Sequence, residues 1–160
     1  MQEDIITFIC KNSNLQESKI ALRIKTNGDT VFSISAVIED DYIESESNSD
    51  IIRVIKRQLQ EYFYGTRKKF DIKFDTSQGT DFQRRVWQAL RDIPYGETRT
   101  YGEIAKTVGS PKGARAVGMA CNKNPLLIIT PCHRVIGSTG SLTGFACGID
   151  IKKLLLDIEN

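Results

Sequence analysis

The residues best suited to chemistry form one short run, PCHRV at 131–135, in which a thiol, an imidazole and a guanidinium are adjacent. A cysteine is a useful nucleophile only as its thiolate, and a nearby imidazole or guanidinium favours that form. His133 is the only histidine in the chain, so any mechanism that needs an imidazole must use it. The alternative is equally simple: Cys132 is a small buried hydrophobe and His133 a surface residue.

The element that must position this run is the apolar stretch 126–130, which the pattern predicts to be a buried strand ending at Pro131. Neighbouring side chains on a strand point to opposite faces. A turn at Pro131 or a bridging water is therefore needed to bring the thiol and the imidazole together.

Two short helices upstream of this run are predicted to form a helix-turn-helix. Thr100 and Glu103 have the spacing of a capping box for a helix to about Thr107, which Gly109 ends. Short capped helices of this kind are also common as ordinary packed core.

The second of these helices is predicted from Ser110, as N-cap, and Pro111 to about Lys123. It is rich in Gly and Ala, which permit close approach to another helix or to a nucleic-acid groove. Its few long polar side chains favour a minor-groove approach over base reading in the major groove. Arg115 fills the space of an extruded base in this interpretation, and is an ordinary surface residue in the other.

The N-terminal half has the pattern of a small antiparallel sheet with one helix. Asn27-Gly28 is a typical hairpin turn between two strands of alternating apolar residues. Ser49 or Asp50 is expected to cap the helix. The predicted strands are 4–10, 19–26, 30–38 and 70–74, and the predicted helix is 51–64.

A change of composition at Ser77-Gln78-Gly79 predicts two domains, 1–79 and 80–160, in an α/β (α+β) fold. A helix is expected to start at Thr80 or Asp81. Residues 137–148 are predicted to be a loop, and Asp150 to cap a last helix.

Composition restricts the class of protein. With 40% hydrophobic and 26% charged residues among 160, the chain has the make-up of a globular protein. It has no apolar run of about 18 residues and no N-terminal signal pattern, so a cytoplasmic protein without a membrane partner is expected. Its four cysteines contain no CxxC pair, which argues against a disulfide framework or a metal site. Residues 80–160 carry 11 Lys and Arg against 7 Asp and Glu, a weakly basic balance that suits a polyanion.

These motifs together resemble the O6-alkylguanine-DNA alkyltransferases, also named methylated-DNA–protein-cysteine methyltransferases. The resemblance covers nearly all of residues 80–160, in the expected order. It is carried by TYGEIA at 100–105, GARAVGMACNKNP at 113–125, PCHRVIG at 131–137, GSLTGFACG at 140–148 and KKLLLDIE at 152–159.

The resemblance implies a role for each matching residue. Cys132 is the alkyl acceptor, His133 the base that activates it through a water, and Glu159 the carboxylate that orients the histidine. Asn124 braces the active-site turn. The matching DNA and substrate contacts are Tyr101, which rotates the nucleotide out, Arg115, which replaces the flipped base, Ser110 and Ser138 on the DNA backbone, and Cys132, Val135 and Ala146 around the guanine.

The implied reaction is irreversible DNA repair, in which an alkyl group passes from O6 of guanine, or less well from O4 of thymine, to Cys132. One molecule repairs one base and is consumed. The implied fold is a ribonuclease-H-like N-terminal domain and a winged-helix-like C-terminal domain. The implied partner is double-stranded DNA bound through the minor groove by a monomer, with no cofactor and no metal.

Phe145 departs from the family pattern, in which Tyr is frequent there, and so does Cys147, where Gly is usual. At Ala146 the family has Ser or Ala, and an alanine implies that only a backbone N–H contacts O6. These positions affect the substrate pocket and leave the nucleophile intact. The alkyltransferase-like proteins that bind damage without repair lack the cysteine, so Cys132 argues against that class. Two other functions stay open, a DNA-binding regulator with a merely buried Cys132 and a thiol hydrolase that turns over repeatedly.

Overall fold

The structure, a computed structural model, describes residues 1–11, 17–142 and 148–160. These residues form two compact units, Met1–Asp75 and Thr76–Asn160. Both units combine helices with short sheets, and this confirms the predicted α/β (α+β) class.

The first unit contains an antiparallel sheet in the order β1-β2-β3. Gly28, at φ +63°, adopts the left-handed backbone that the turn between β2 and β3 requires, and it confirms the predicted hairpin. Side chains alternate between the two faces of a strand, and Ile6, Leu22 and Ile34 lie on the buried face of this sheet. The strands are β1 (Gln2–Lys11), β2 (Glu17–Asn27) and β3 (Thr30–Ala36).

Helix α1 (Asp50–Phe63) covers this sheet with the apolar face that its helical spacing creates. Phe63 packs on Phe8 of β1, with ring centroids 5.3 Å apart. Ser49 is the N-cap, although its side chain makes no capping hydrogen bond.

The predicted strand 70–74 is wrong: it is reduced to a single parallel bridge between Phe74 and Val31. The cause is Gln58 of α1, whose amide donates to the Asp71 carbonyl over 3.1 Å and accepts from the Asp71 N–H over 2.9 Å. The backbone of Asp71 is thus satisfied by a side chain instead of by a neighbouring strand.

The second unit is mainly helical. Its elements are α2 (Asp81–Arg91), β4 (Arg99–Thr100), α3 (Tyr101–Thr107), α4 (Ala114–Asn122), a 3₁₀ turn (Cys132–Arg134), β5 (Val135–Ile136) and α5 (Ile149–Ile158).

Helix α2 starts where local chemistry predicts. The Thr80 hydroxyl accepts from the Gln83 N–H and the Gln83 side chain accepts from the Thr80 N–H, a complete capping box. Trp87 of α2 donates from Nε1 to the Ala120 carbonyl of α4 over 2.8 Å. Only glycine fits at position 79 without strain, because the backbone there adopts φ +82° and an added Cβ would lie 2.6 Å from the Trp87 ring.

Helix α4 begins at Ala114, so the expected start at Ser110-Pro111 is wrong. Residues 110–113 form a tight turn instead, closed by a 2.7 Å hydrogen bond from the Gly113 N–H to the Ser110 carbonyl. Proline is as well suited to the second position of such a turn as to the first turn of a helix, since both need φ near −65°.

Helix α5, in contrast, begins earlier than expected, with Gly148 as N-cap and Asp150 inside its first turn. The second unit also contains a two-stranded parallel ladder, in which β4 pairs with β5 and Arg99 lies opposite Val135. This ladder places the start of α3 beside the segment that carries Cys132.

Candidate active site

The stretch before Cys132 is buried as predicted, but it is not a strand. It folds into tight turns, with the Thr130 N–H donating to the Leu126 carbonyl over 2.9 Å and Ile128 at φ +75°. Asn124 holds these turns: its amide donates to the Thr130 carbonyl over 2.7 Å, and its Oδ1 accepts from the Leu126 N–H over 2.9 Å. Because each of these backbone groups has a local partner, the chain needs no sheet here.

The turns lead directly into the 3₁₀ turn that carries the thiol. The Cys132 N–H donates to the Thr130 carbonyl over 2.8 Å, and the Arg134 N–H to the Pro131 carbonyl over 3.0 Å. Cys132 is 3% exposed and His133 is completely buried. The sequence predicted that a turn at Pro131 or a bridging water is needed to bring the thiol and the imidazole together, and the structure has a turn at this place.

His133 is paired with Glu159, the C-cap of α5 and the penultimate residue of the chain. The Nε2 atom of the imidazole is in hydrogen-bond contact with Oε2 of the carboxylate. Since an ionised carboxylate only accepts, a neutral His133 carries its proton on Nε2 and its lone pair on Nδ1.

The surroundings of His133 favour its neutral form. Burial lowers the pKa of the imidazole, the hydrogen bond and negative charge of Glu159 raise it, and the positive charges of Arg134 and Lys152 lower it again, with a net decrease. A neutral imidazole at physiological pH can take a proton from a thiol, which an imidazolium cannot do.

Tyr101, at the start of α3, lies in a second part of the site. Lys152 Nζ of α5 is 3.5 Å from its hydroxyl and 5.6 Å from its ring centroid. The ring also lies against α4, where a methyl group added to Gly118 would be 3.8 Å from Cε1. The pKa of Tyr101 is raised to about 12, first by burial and then by the charges of Cys121 and Cys132.

Cys121 of α4 is a second buried thiol in the same region. Burial and then the charge of Cys132 raise the pKa of Cys121 to about 12, against the opposing effect of Lys152. Cys121 is therefore protonated at neutral pH and is a poor nucleophile. Tyr101, Cys121, Cys132 and Lys152 interact electrostatically, and we refer to them as the thiol cluster.

Lys152 is the member of this site that sequence reasoning missed. It is completely buried, and burial lowers its pKa whereas Cys132 and Cys121 raise it. A lysine in a helix is usually a surface residue, and Lys153 beside it is one. The available signal was spacing, because Lys152 lies three residues before Leu155 and seven before Glu159, on one helical face.

The other predicted residues all belong to the second unit. Arg115 is exposed on α4, Ser110 is half-buried in the turn before it, Ser138 is exposed after β5, and Val135 is buried. Phe145, Ala146 and Cys147 lie outside the described residues.

Within residues 1–11, 17–142 and 148–160, no group of three or more His, Cys, Asp or Glu is placed to hold a metal ion. No helix in that part of the chain has the length and hydropathy needed to cross a membrane.

Comparison with known proteins adds independent information. Residues 81–160 match the model of the 6-O-methylguanine DNA methyltransferase, DNA binding domain. A methylated-DNA–protein-cysteine methyltransferase of Methanosarcina acetivorans is 56% identical over 122 residues, which are 76% of either chain. A protein of the same name from Mycobacterium tuberculosis is 58% identical over 102 residues, 64% of this chain and 61% of the relative.

Solved structures agree with these matches. The Mycobacterium tuberculosis OGT crystallised in complex with DNA has a TM-score of 0.78 and 40% identity, covering 96% of this chain and 91% of the other. The O6-methylguanine-DNA methyltransferase of Pyrococcus kodakaraensis shares the fold, with a TM-score of 0.67 and 24% identity over 97% of this chain and 99% of the other. The chain belongs to the methylated-DNA–protein-cysteine methyltransferase family.

Proposed function

We propose that this protein is a DNA repair alkyltransferase that takes an alkyl group from O6 of guanine, and less well from O4 of thymine, onto its own Cys132. The observation that carries this proposal is the buried His133–Glu159 pair directly adjacent in sequence to a buried cysteine. Such a pair is the usual means of activating a thiol for attack on carbon.

The transfer balances without a cofactor. Cys132 gives its proton to Nδ1 of His133, through a water in our proposal, and the thiolate attacks the alkyl carbon. The bond between that carbon and O6 breaks, its electron pair stays on the guanine, and the guanine takes up one proton. The new thioether has no good leaving group, so each molecule acts once.

Lys152 and Tyr101 serve this step by their position in the thiol cluster. A positive charge near Cys132 favours the thiolate, and its effect is large because the site is buried. The Tyr101 hydroxyl keeps its proton, given its pKa of about 12, and is a hydrogen-bond donor towards the displaced base.

DNA is the proposed macromolecular partner, approached through its minor groove. The target atom lies inside the duplex, so the nucleotide must be rotated out. In our proposal Arg115, which is exposed on the Gly- and Ala-rich helix α4, enters the vacated stack, and Ser110 and Ser138 contact the DNA backbone. The carbonyls of Cys132 and Val135, with Ala146, recognise the base.

We further propose that the second unit carries out both DNA binding and alkyl transfer. Every residue with an assigned role falls within Thr76–Asn160. The same fact favours a monomer as the active species, since one chain supplies the whole set.

The decisive experiment is intact-protein mass spectrometry after incubation with a duplex that contains O6-methylguanine. We expect a gain of about 14 Da, one methyl replacing one hydrogen, located on Cys132 and limited to one equivalent. Cys132→Ala should show no gain and still bind the duplex. Cys121→Ala is the matched control, since it removes a buried thiol of high pKa and should leave the gain intact.

Each rival function has its own signature in this experiment. A DNA-binding regulator gives no mass change with any variant. A thiol hydrolase turns over an ester or peptide repeatedly and is not consumed. Methyl transfer that persists in Cys132→Ala would remove Cys132 as the acceptor.

A further inference from the structure

Arg134 has no assigned role so far, although it makes the most specific contacts in the site. Its Nε donates to Glu159 Oε1 over 2.7 Å, and its Nη1 donates to the Ile93 carbonyl over 2.7 Å. Its side chain is only 9% exposed, and that of Glu159 only 2%. A guanidinium presents these donors in a fixed plane, so two acceptors from different segments are held at a set angle.

Glu159 is the C-cap of α5, so it lies beyond the last helical turn. Helix ends fray, and a contact from another segment is needed to hold the Glu159 carboxylate in place. Here the Tyr95 hydroxyl donates to the Ile158 carbonyl over 3.2 Å, and the Arg134 guanidinium lies 5.7 Å from the Tyr95 ring centroid. Arg134 thus joins the end of α5 to the segment after α2 and leaves Oε2 directed at His133.

The charge of Arg134 has a separate effect on the imidazole. Beside a buried carboxylate alone, a histidine gains from being protonated, and would then be unable to act as a base. The positive charge of the Arg134 guanidinium balances the negative charge of the Glu159 carboxylate with which it is paired. The charged groups that act on His133 are Arg134 from its own segment, Lys152 from α5, and Glu159, the C-cap of α5. Cys132 is its neighbour in sequence, and Tyr95 interacts with both Glu159 and Arg134.

We propose that Arg134 is a positioning residue for alkyl transfer, which fixes the Glu159 carboxylate against His133 and keeps the imidazole neutral by balancing that carboxylate. This rests on the proposed function of Cys132. It assigns two separable properties to one side chain: its geometry and its charge.

The chain offers an unusually clean probe, because His133 is its only histidine. In a tag-free protein, a single imidazole Cε1–Hε1 resonance can be followed by NMR across pH, without DNA or substrate. Transfer rates to an O6-methylguanine duplex, measured over the same pH range, give the second readout. Circular dichroism confirms that each variant is folded where it is measured.

Two substitutions separate charge from geometry. Arg134→Met removes the charge and should raise the pKa of His133, since Glu159 still raises it and Arg134 no longer opposes. The acid limb of the rate profile should move to higher pH by the same shift. Arg134→Lys keeps the positive charge but loses the planar set of guanidinium donors. The titration of the imidazole should therefore stay near that of wild type, while the transfer rate falls roughly ten- to a hundredfold at every pH.

Three results would overturn this proposal. An unchanged His133 titration in folded Arg134→Met refutes the charge role, and a wild-type rate in Arg134→Lys refutes the positioning role. Equal loss of stability in both variants, with unchanged titration and rate in the folded fraction, leaves Arg134 a structural residue only. If wild type itself transfers no methyl group, the proposed function fails, whereas the imidazole titration still decides the role of Arg134.

Discussion

We propose that Lys152 serves activity at the expense of stability. It is completely buried, with its ammonium group 3.5 Å from the Tyr101 hydroxyl and near two thiols. Replacing a buried charge by an apolar side chain of similar length is often neutral or stabilising. The same replacement removes positive charge from beside the nucleophile.

We therefore expect Lys152→Met to raise the free energy of unfolding by about 1 kcal/mol and to lower the transfer rate by about tenfold. Urea unfolding and single-turnover kinetics measure the two effects. Lys153→Met, on the exposed side of the same helix, should change neither. A slower and also less stable Lys152→Met protein would show that the lysine has a mainly structural role.

For single residues, the sequence predicted which side chains belong to the candidate site better than it predicted their burial and contacts. Cys132 and His133 stand out by type and adjacency, and Glu159 by its place in the family motif. Only helical spacing distinguishes Lys152 from Lys153, because it places Lys152 on the same face as Leu155, whereas their burial is decided by where α5 packs. Glu159 as a relay member and Lys152 as a cluster member both depend on contacts across more than 25 residues of chain.

Among the elements, α4 carries the clearest functional prediction. Arg115 is exposed in the first turn of α4, and extruding a base costs a few kcal/mol that an inserted arginine would partly offset. Arg115→Ala should therefore slow transfer from duplex DNA by about tenfold or more, and leave transfer from free O6-benzylguanine nearly unchanged.

Paired rates on the two substrates, at fixed salt and saturating protein, test this. Lys123→Ala is the matched control, an exposed cation just beyond the same helix. If Arg115 only contacts a phosphate, both variants should weaken duplex binding alike and lower its salt dependence by about one unit of slope. An equal loss on both substrates would indicate damage to the thiol site.

The elements also show where local patterns suffice. The start of α2 follows from Thr80 and Gln83, which are three residues apart and cap each other. The start of α4 and the turns at 126–130 do not follow from local sequence, since the Asn124 side chain decides the latter. A buried apolar run between prolines fits a strand and a set of braced turns equally well until that brace is known.

For the molecule as a whole, His133 predicts how stability depends on pH. The folded pKa of His133 lies below its ordinary value of 6.5, mainly because of burial. As pH falls past about 6.5, the unfolded chain therefore binds a proton that the folded chain does not, and stability decreases. The loss continues until pH reaches the folded pKa, below which both states are protonated.

We expect the free energy of unfolding to decrease between about pH 7.5 and 5.5, a range in which ordinary carboxylates stay ionised. Urea unfolding followed by circular dichroism at several pH values gives the slope. His133→Gln should lose that slope whatever its absolute stability. A slope of the opposite sign in wild type would mean that His133 is protonated in the folded state.

The hydrogen bond between Trp87 and the Ala120 carbonyl gives the protein an internal optical reporter. Trp87 is the only tryptophan in the chain, is 6% exposed, and joins α2 to the helix that carries Arg115. Because Trp87 lies in Thr76–Asn160, selective excitation of its indole reports on the packing of that unit. A red shift of the emission marks the moment when α4 separates from α2 and water reaches the ring, so the loosening of one unit can be timed without any label.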